Sequence, residues 1–230
     1  MKKIIWIIAV IPLIVTVILL PFIPERIPMH YNFNGEIDRW GSRAEQLIFP
    51  AAIILITLLW HFMIKSFEKK KAAARSEKEA AEAEANCRLL NIVSISMSVM
   101  YGIMHFFLLY GACAAADSGS DYAVVDIGRI SCVLCGSILI ILGNFMPRLR
   151  RNSVAGVRTV WSLYNDNTWR KSNRFGSIAL IITGILIIIT ASFAGAVIST
   201  IMMIIYLILA LVITMIYSKK IYDREKMSGN

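Results

Sequence analysis

The chain has 230 residues, 57% of them hydrophobic and 17% charged, with a mean hydropathy of +0.66. Soluble domains run at about 45–50% apolar and about 25% charged, so a secreted, disordered or cytosolic globular protein is excluded. The net charge of +9 would suggest nucleic acid in a soluble protein, but in a membrane protein it is first a topology signal, because Lys and Arg stay on the cytoplasmic side.

Six windows each supply the ~20 mostly apolar residues that cross a bilayer: 4–23, 47–67, 89–113, 125–146, 175–193 and 196–217. They predict an all-α integral membrane protein with six transmembrane helices. Lys and Arg outside the windows number two at the N-terminus, three in 24–46, seven around 65–88, none in 114–124, seven in 147–174 and four at the C-terminus. This low–high alternation predicts that both termini are cytoplasmic, with an ordered outer loop and a basic inner loop.

In chain order, Lys2 and Lys3 precede the first apolar stretch. That stretch is longer than the ~7–15 residues of a signal-peptide core, and no A-x-A site follows, so it is expected to be an uncleaved helix. The outer loop 24–46 follows, entered through Pro21, Pro24 and Pro28, which fix φ and disfavour continued helix. Asn34-Gly35 is a turn signal between residues of strand-forming type and predicts a short hairpin. His30, Asn32 and Asp38 would meet there, to bind a metal or a peptide, or simply to hold the loop by hydrogen bonds.

The segment 65–88 is rich in Ala, Glu and Lys, with Arg75 and Glu79 one turn apart, so helices two and three are expected to extend into the cytoplasm as a solvated hairpin. In helix three, Asn91, Ser94, Ser98, Gly102 and His105 fall on one face. In helix four, Gly128, Cys132, Cys135, Gly136 and Gly143 also share one side. Small residues let backbones approach in lipid, which predicts tight packing of helix three on helix four. The competing reading is an intramembrane polar face of Asn91, Ser94, Ser98 and His105, lining the cavity of a small-solute transporter or channel. His61 is expected near the interface. Cys132-x-x-Cys135 has no partner His or second pair, so the cysteines are expected to pack as small residues. A Cys113–Cys132 disulfide is the alternative.

The inner loop 147–174 sets seven cations against one acid, with Trp161, Tyr164 and Trp169 interleaved. Asn165 or Asp166 is expected to cap a short helix running towards Arg174. Such a loop suits anionic lipids or an acidic partner, and direct nucleic-acid binding is disfavoured. No P-loop, H-E-x-x-H, G-x-S-x-G or nucleophile–base pair occurs in the sequence, so neither an enzyme nor a cofactor is expected. A metalloenzyme using His30 and Asp38 would fall short of the three protein ligands usual for catalytic zinc.

The inner loop closely resembles the signature of the SdpI family, bacterial membrane proteins named for immunity to a sporulation-delaying toxin. That signature runs G-N-x-M-P, a basic stretch, G-[IV]-R-T-x-W-[ST]-L, then V-W-x-x-[TS]-H and a glycine. It is matched at Gly143, Asn144, Met146, Pro147, Asn152, Gly156, Arg158, Thr159, Trp161, Leu163, Trp169 and Gly176. The outer loop resembles the family's N-terminal module at Leu20, Pro21, Pro28, His30, Asn32, Gly35, Asp38, Gly41, Ser42 and Arg43. Val160 stands where the family often has Pro, and Asn173 where it often has His.

The resemblance implies a multi-pass immunity and signalling protein of the bacterial cell membrane. It would give resistance to a secreted peptide toxin and hold a small cytosolic transcriptional repressor at the membrane. Toxin contacts are then expected at Pro28, His30, Asn32, Gly35, Asp38 and Arg43. Partner or lipid contacts are expected at Asn144, Pro147, Arg148, Arg150, Arg151, Asn152, Gly156, Arg158, Thr159, Trp161 and Trp169. The expected organisation is an N-terminal module at 1–67, a cytoplasmic helical hairpin at 68–88 and a C-terminal module at 89–230.

Overall fold

The computed structural model describes residues 2–32, 34–152 and 154–228. Among these described residues, six helices are long and apolar enough to span a bilayer: α1 Lys2–Leu19, α2 Ile48–Ala72, α3 Glu77–Ser118, α4 Ile127–Phe145, α5 Asp166–Phe193 and α6 Ala196–Ser228. Between α1 and α2 lies an antiparallel hairpin of β1, Arg26–Tyr31, and β2, Ile37–Ser42. The six-helix expectation and the hairpin are both borne out.

The helices pack as two groups of three, α1–α2–α3 and α4–α5–α6, with a slighter contact between α3 and α4. Most large apolar side chains of α6 face outward, as a helix that is apolar all round must when lipid is its solvent. At one end of the molecule Ile5 of α1, Ile64 of α2 and Leu90 of α3 form a buried cluster with Val154 of the inner loop. At the other, Ile23 and Ile27 pack on Leu109 and Ala112 of α3, seating the hairpin on the bundle.

The 42 residues of α3 rise about 63 Å at 1.5 Å each, roughly twice the ~30 Å hydrocarbon core. Its first turns, with the end of α2, therefore form the expected solvated hairpin. Ser76 caps α3 by accepting the Glu79 N–H, and Lys71 pairs with Glu84 across the hairpin at 3.2 Å. Glu79 accepts from the backbone N–H of Arg75, rather than pairing with its guanidinium as the spacing suggested.

Two expectations are corrected. The helix capped by Asn165 is α5 itself, unbroken from Asp166 to Phe193, because nothing between Trp169 and Gly176 interrupts its hydrogen bonding. On the small-residue side of α4, Gly136 and Gly143 face α5 rather than α3. A Cβ added at Gly136 would stand 2.7 Å from the Gly184 carbonyl oxygen, and the Gly143 carbonyl accepts the Ser177 hydroxyl at 2.7 Å. The four cysteines are free, as the packing reading expected.

Candidate functional site

At the outer end, Asn32 builds the hairpin turn. Its side-chain oxygen accepts the N–H groups of Asn34 and Glu36 at 2.9 and 3.0 Å, and Gly35 takes φ +82°. The 120–123 segment joins β2 at its start: Ile37 N–H donates to the Asp121 carbonyl at 2.8 Å, and Ala123 N–H to that of Gly35 at 2.7 Å. Ser42 and Glu45 form a capping box that leads into α2, and Arg39 pairs with Glu45 at 2.8 Å. The Arg43 guanidinium donates to the Pro21 and Ile23 carbonyls, tying down the exit of α1. Burial raises the Tyr31 phenol above its usual pKa.

Of the six outer residues singled out by sequence, Pro28 is buried, Asn32 and Gly35 make the turn and Arg43 is a brace. Only His30 and Asp38 present themselves together, Nδ1 to Oδ1 at 2.6 Å with side chains 65% and 45% exposed. Among the described residues, no three His, Cys, Asp or Glu side chains are grouped to hold a metal.

Within the bundle, Asn91, Ser94, Ser98, Gly102 and His105 are all buried, and the face they share meets α1 and α2. His105 Nε2 lies 2.6 Å from the Thr16 hydroxyl, which itself donates to the Pro12 carbonyl at 2.8 Å. With the hydroxyl proton spent on Pro12, Nε2 is the donor to Thr16 and Nδ1 is left without a partner. Phe49 stacks on the imidazole at 5.9 Å between ring centroids. Asn91 and Ser94 turn back to carbonyls of their own helix, those of Cys87 and Asn91. His61 accepts from the Trp6 indole at 3.4 Å.

At the inner end, the loop between α4 and α5 is braced by its own polar side chains. The Asn152 oxygen accepts the Val154 and Ala155 N–H groups, and its amide nitrogen donates to the Arg150 and Ala155 carbonyls. The Trp169 indole donates to the Leu149 carbonyl at 2.8 Å. Asn173 accepts from Val157 N–H and donates to the Trp169 carbonyl, both at 2.9 Å. Ser162 and Thr159 exchange side-chain and backbone bonds. Gly156 takes φ +111° against Asn173 and Trp169.

Asn152, Gly156, Thr159 and Trp169 are thus the frame of the loop, and the cations stand on it. Arg148 lies over the Phe145 ring, Arg151 pairs with Asp166 at 3.2 Å, and Arg150, Arg158 and Arg170 are exposed. Asn144 donates to the Ile140 carbonyl, Pro147 is exposed at the turn after α4, and Trp161 lies under Lys219 of α6.

Sequence reasoning missed Thr16, the partner of His105. It also missed Arg129, whose guanidinium donates to the Ala191 and Ser192 carbonyls at 2.8 and 2.9 Å and so caps α5. The available signal was a cation at the outer end of helix four, against the charge rule. Asn167, bound to Glu225 of α6, carried no sequence signal.

The model described as the SdpI/YfhL protein family matches residues 148–218, and one described as a domain of unknown function (DUF1648) matches residues 7–56. Immunity protein SdpI of Bacillus subtilis (strain 168) is 29% identical over 216 residues, covering 94% of this chain and 91% of that protein. No solved structure matches. Residues 148–218 thus match an SdpI/YfhL-family domain, and with six apolar helices among the described residues the chain is a multi-pass bacterial membrane protein.

Proposed function

We propose that the protein is a membrane immunity protein that protects its cell from a secreted antimicrobial peptide or toxin and signals its presence inward. The observation that carries this reading is the near full-length similarity to an immunity protein, which takes in both the outer hairpin and the inner loop. The outer hairpin supplies the toxin-facing surface. It is held rigid by Asn32, Arg43 and the 120–123 segment, and it offers His30 and Asp38 outward. The inner loop, with exposed arginines on a braced frame, is the surface on which a small cytosolic repressor would be held. Catalysis plays no part in this function.

The test is expression in a toxin-sensitive strain challenged with a panel of secreted peptides. Survival should rise for at least one peptide and fall back with His30→Ala, while membrane levels of the protein stay the same. Equal killing with and without the protein across the panel would sink the proposal.

The transporter alternative would use the polar face of α3. Against it, His105 is fully buried, closed over by Phe49 and tied to Thr16. Solute flux in liposomes that disappears with His105→Leu would favour the transporter instead.

A further inference from the structure

A groove of about 430 Å³ lies between the inner loop and the first turns of α3. Lys78, Arg148, Arg150, Arg151 and Arg170 line it, with only Glu82 and Asp166 to offset them. Asp166 is already engaged by Arg151. Among the described residues, Lys78, Arg148 and Arg150 take part in no ion pair. The support beneath them is rigid. Trp169 holds the Leu149 carbonyl, and Arg151 holds those of Leu163 and Tyr164. The strip 147–151 is thereby fixed along the start of α5.

We infer that this groove binds the phosphate of an anionic phospholipid headgroup. Four of its five cations are arginines, whose planar fork matches phosphate oxygens in pairs, where lysine offers a point charge. Its arginine strip starts at the level of the headgroups, because α4 leaves the apolar span at Phe145 and the 146–148 turn follows directly. Pro147 and Leu149 also line the groove, offering apolar surface to the glycerol end of a lipid, which a free phosphate ion would not use. A lipid seated there touches both Lys78 of the cytoplasmic hairpin and the arginines of the inner loop, so it would add a clamp between these two elements to the apolar contact of Val154 with Ile64 and Leu90. This inference stands apart from the toxin reading and requires no toxin.

The test titrates the full chain in detergent with phosphatidylglycerol, phosphatidylcholine or inorganic phosphate, counting adducts by native mass spectrometry. Phosphatidylglycerol should form a one-to-one adduct. At about fivefold per cation near the headgroups, Arg148→Gln with Arg150→Gln should weaken it about thirtyfold. Arg148→Lys with Arg150→Lys should recover part of the loss, and Lys69→Gln with Lys70→Gln, at the hairpin tip, should change nothing. Helix content by circular dichroism should be the same for all variants. Equal binding of phosphatidylcholine, undiminished binding by the glutamine pair, or inorganic phosphate binding as tightly as the lipid would each overturn the inference.

Discussion

Gly156 holds φ +111°, and a side chain there would run into Asn173 and Trp169. Residues other than glycine reach such backbone only with strain of about 1–3 kcal/mol, and here steric overlap adds to it. Gly156→Ala should therefore lower the thermal unfolding midpoint in detergent. Asn173→Ala removes the acceptor of Val157 N–H and leaves buried polar groups unpaired, at a cost of about 1–3 kcal/mol. Because the two positions touch, the double variant should lose less than the sum of the single losses, and strict additivity would refute a shared frame. Asn173 also explains a departure visible in sequence. There the resembled signature has His; the buried position needs an acceptor for Val157 and a donor for Trp169, and an asparagine amide supplies both. The loop motifs were legible as residues that matter. Their roles were not, because Asn152, Trp169 and Arg43 act on backbone carbonyls and N–H groups, which a string of letters does not display.

At the scale of elements, helix number and the outer hairpin were legible because apolar runs and Asn34-Gly35 are local signals. The partner of α4 was not. Periodicity tells that Gly136 and Gly143 share a side, but any neighbouring helix could fill it. In the structure that neighbour is α5, where Gly184 faces Gly136 and each backbone occupies the space a side chain would need. In lipid such contacts rest on close van der Waals approach, with no expulsion of water to help. Gly136→Val or Gly184→Val should thus push the helices apart and cost about 1–3 kcal/mol, read as a lower unfolding midpoint. Gly195→Ala, with open space around it, should stay within about 0.5 kcal/mol. Equal effects at all three positions would mean that α4 and α5 do not meet through their glycines. The start of α5 was misplaced for a similar reason: the polar stretch from Asp166 to Arg174 has no apolar face to mark it, yet it continues the helix under the Asn165 cap.

For the molecule as a whole, the packing of the two ends gives the charge asymmetry a geometric meaning. Ile5 near the N-terminus, the base of the α2–α3 hairpin and the inner loop meet in one cluster, and Tyr222 and Glu225 of α6 reach Tyr164 of the same loop and Asn167 at the start of α5. That end holds 20 of the 24 Lys and Arg residues. Of the four at the other end, Arg39 is paired with Glu45, Arg43 braces α1 and Arg129 caps α5. The outer end thus keeps few free cations, and the positive-inside rule orients the bundle with the hairpin outward. Cysteine labelling tests this orientation directly. In a background with Cys87, Cys113, Cys132 and Cys135 replaced by Ala, Asp117→Cys should react with a membrane-impermeant maleimide in intact cells. Ala73→Cys, in the turn between α2 and α3, should react only after lysis. If instead Ala73→Cys labelled in intact cells and Asp117→Cys only after lysis, the bundle would be inverted. The inner loop would then face the medium, where it could not hold a cytosolic repressor.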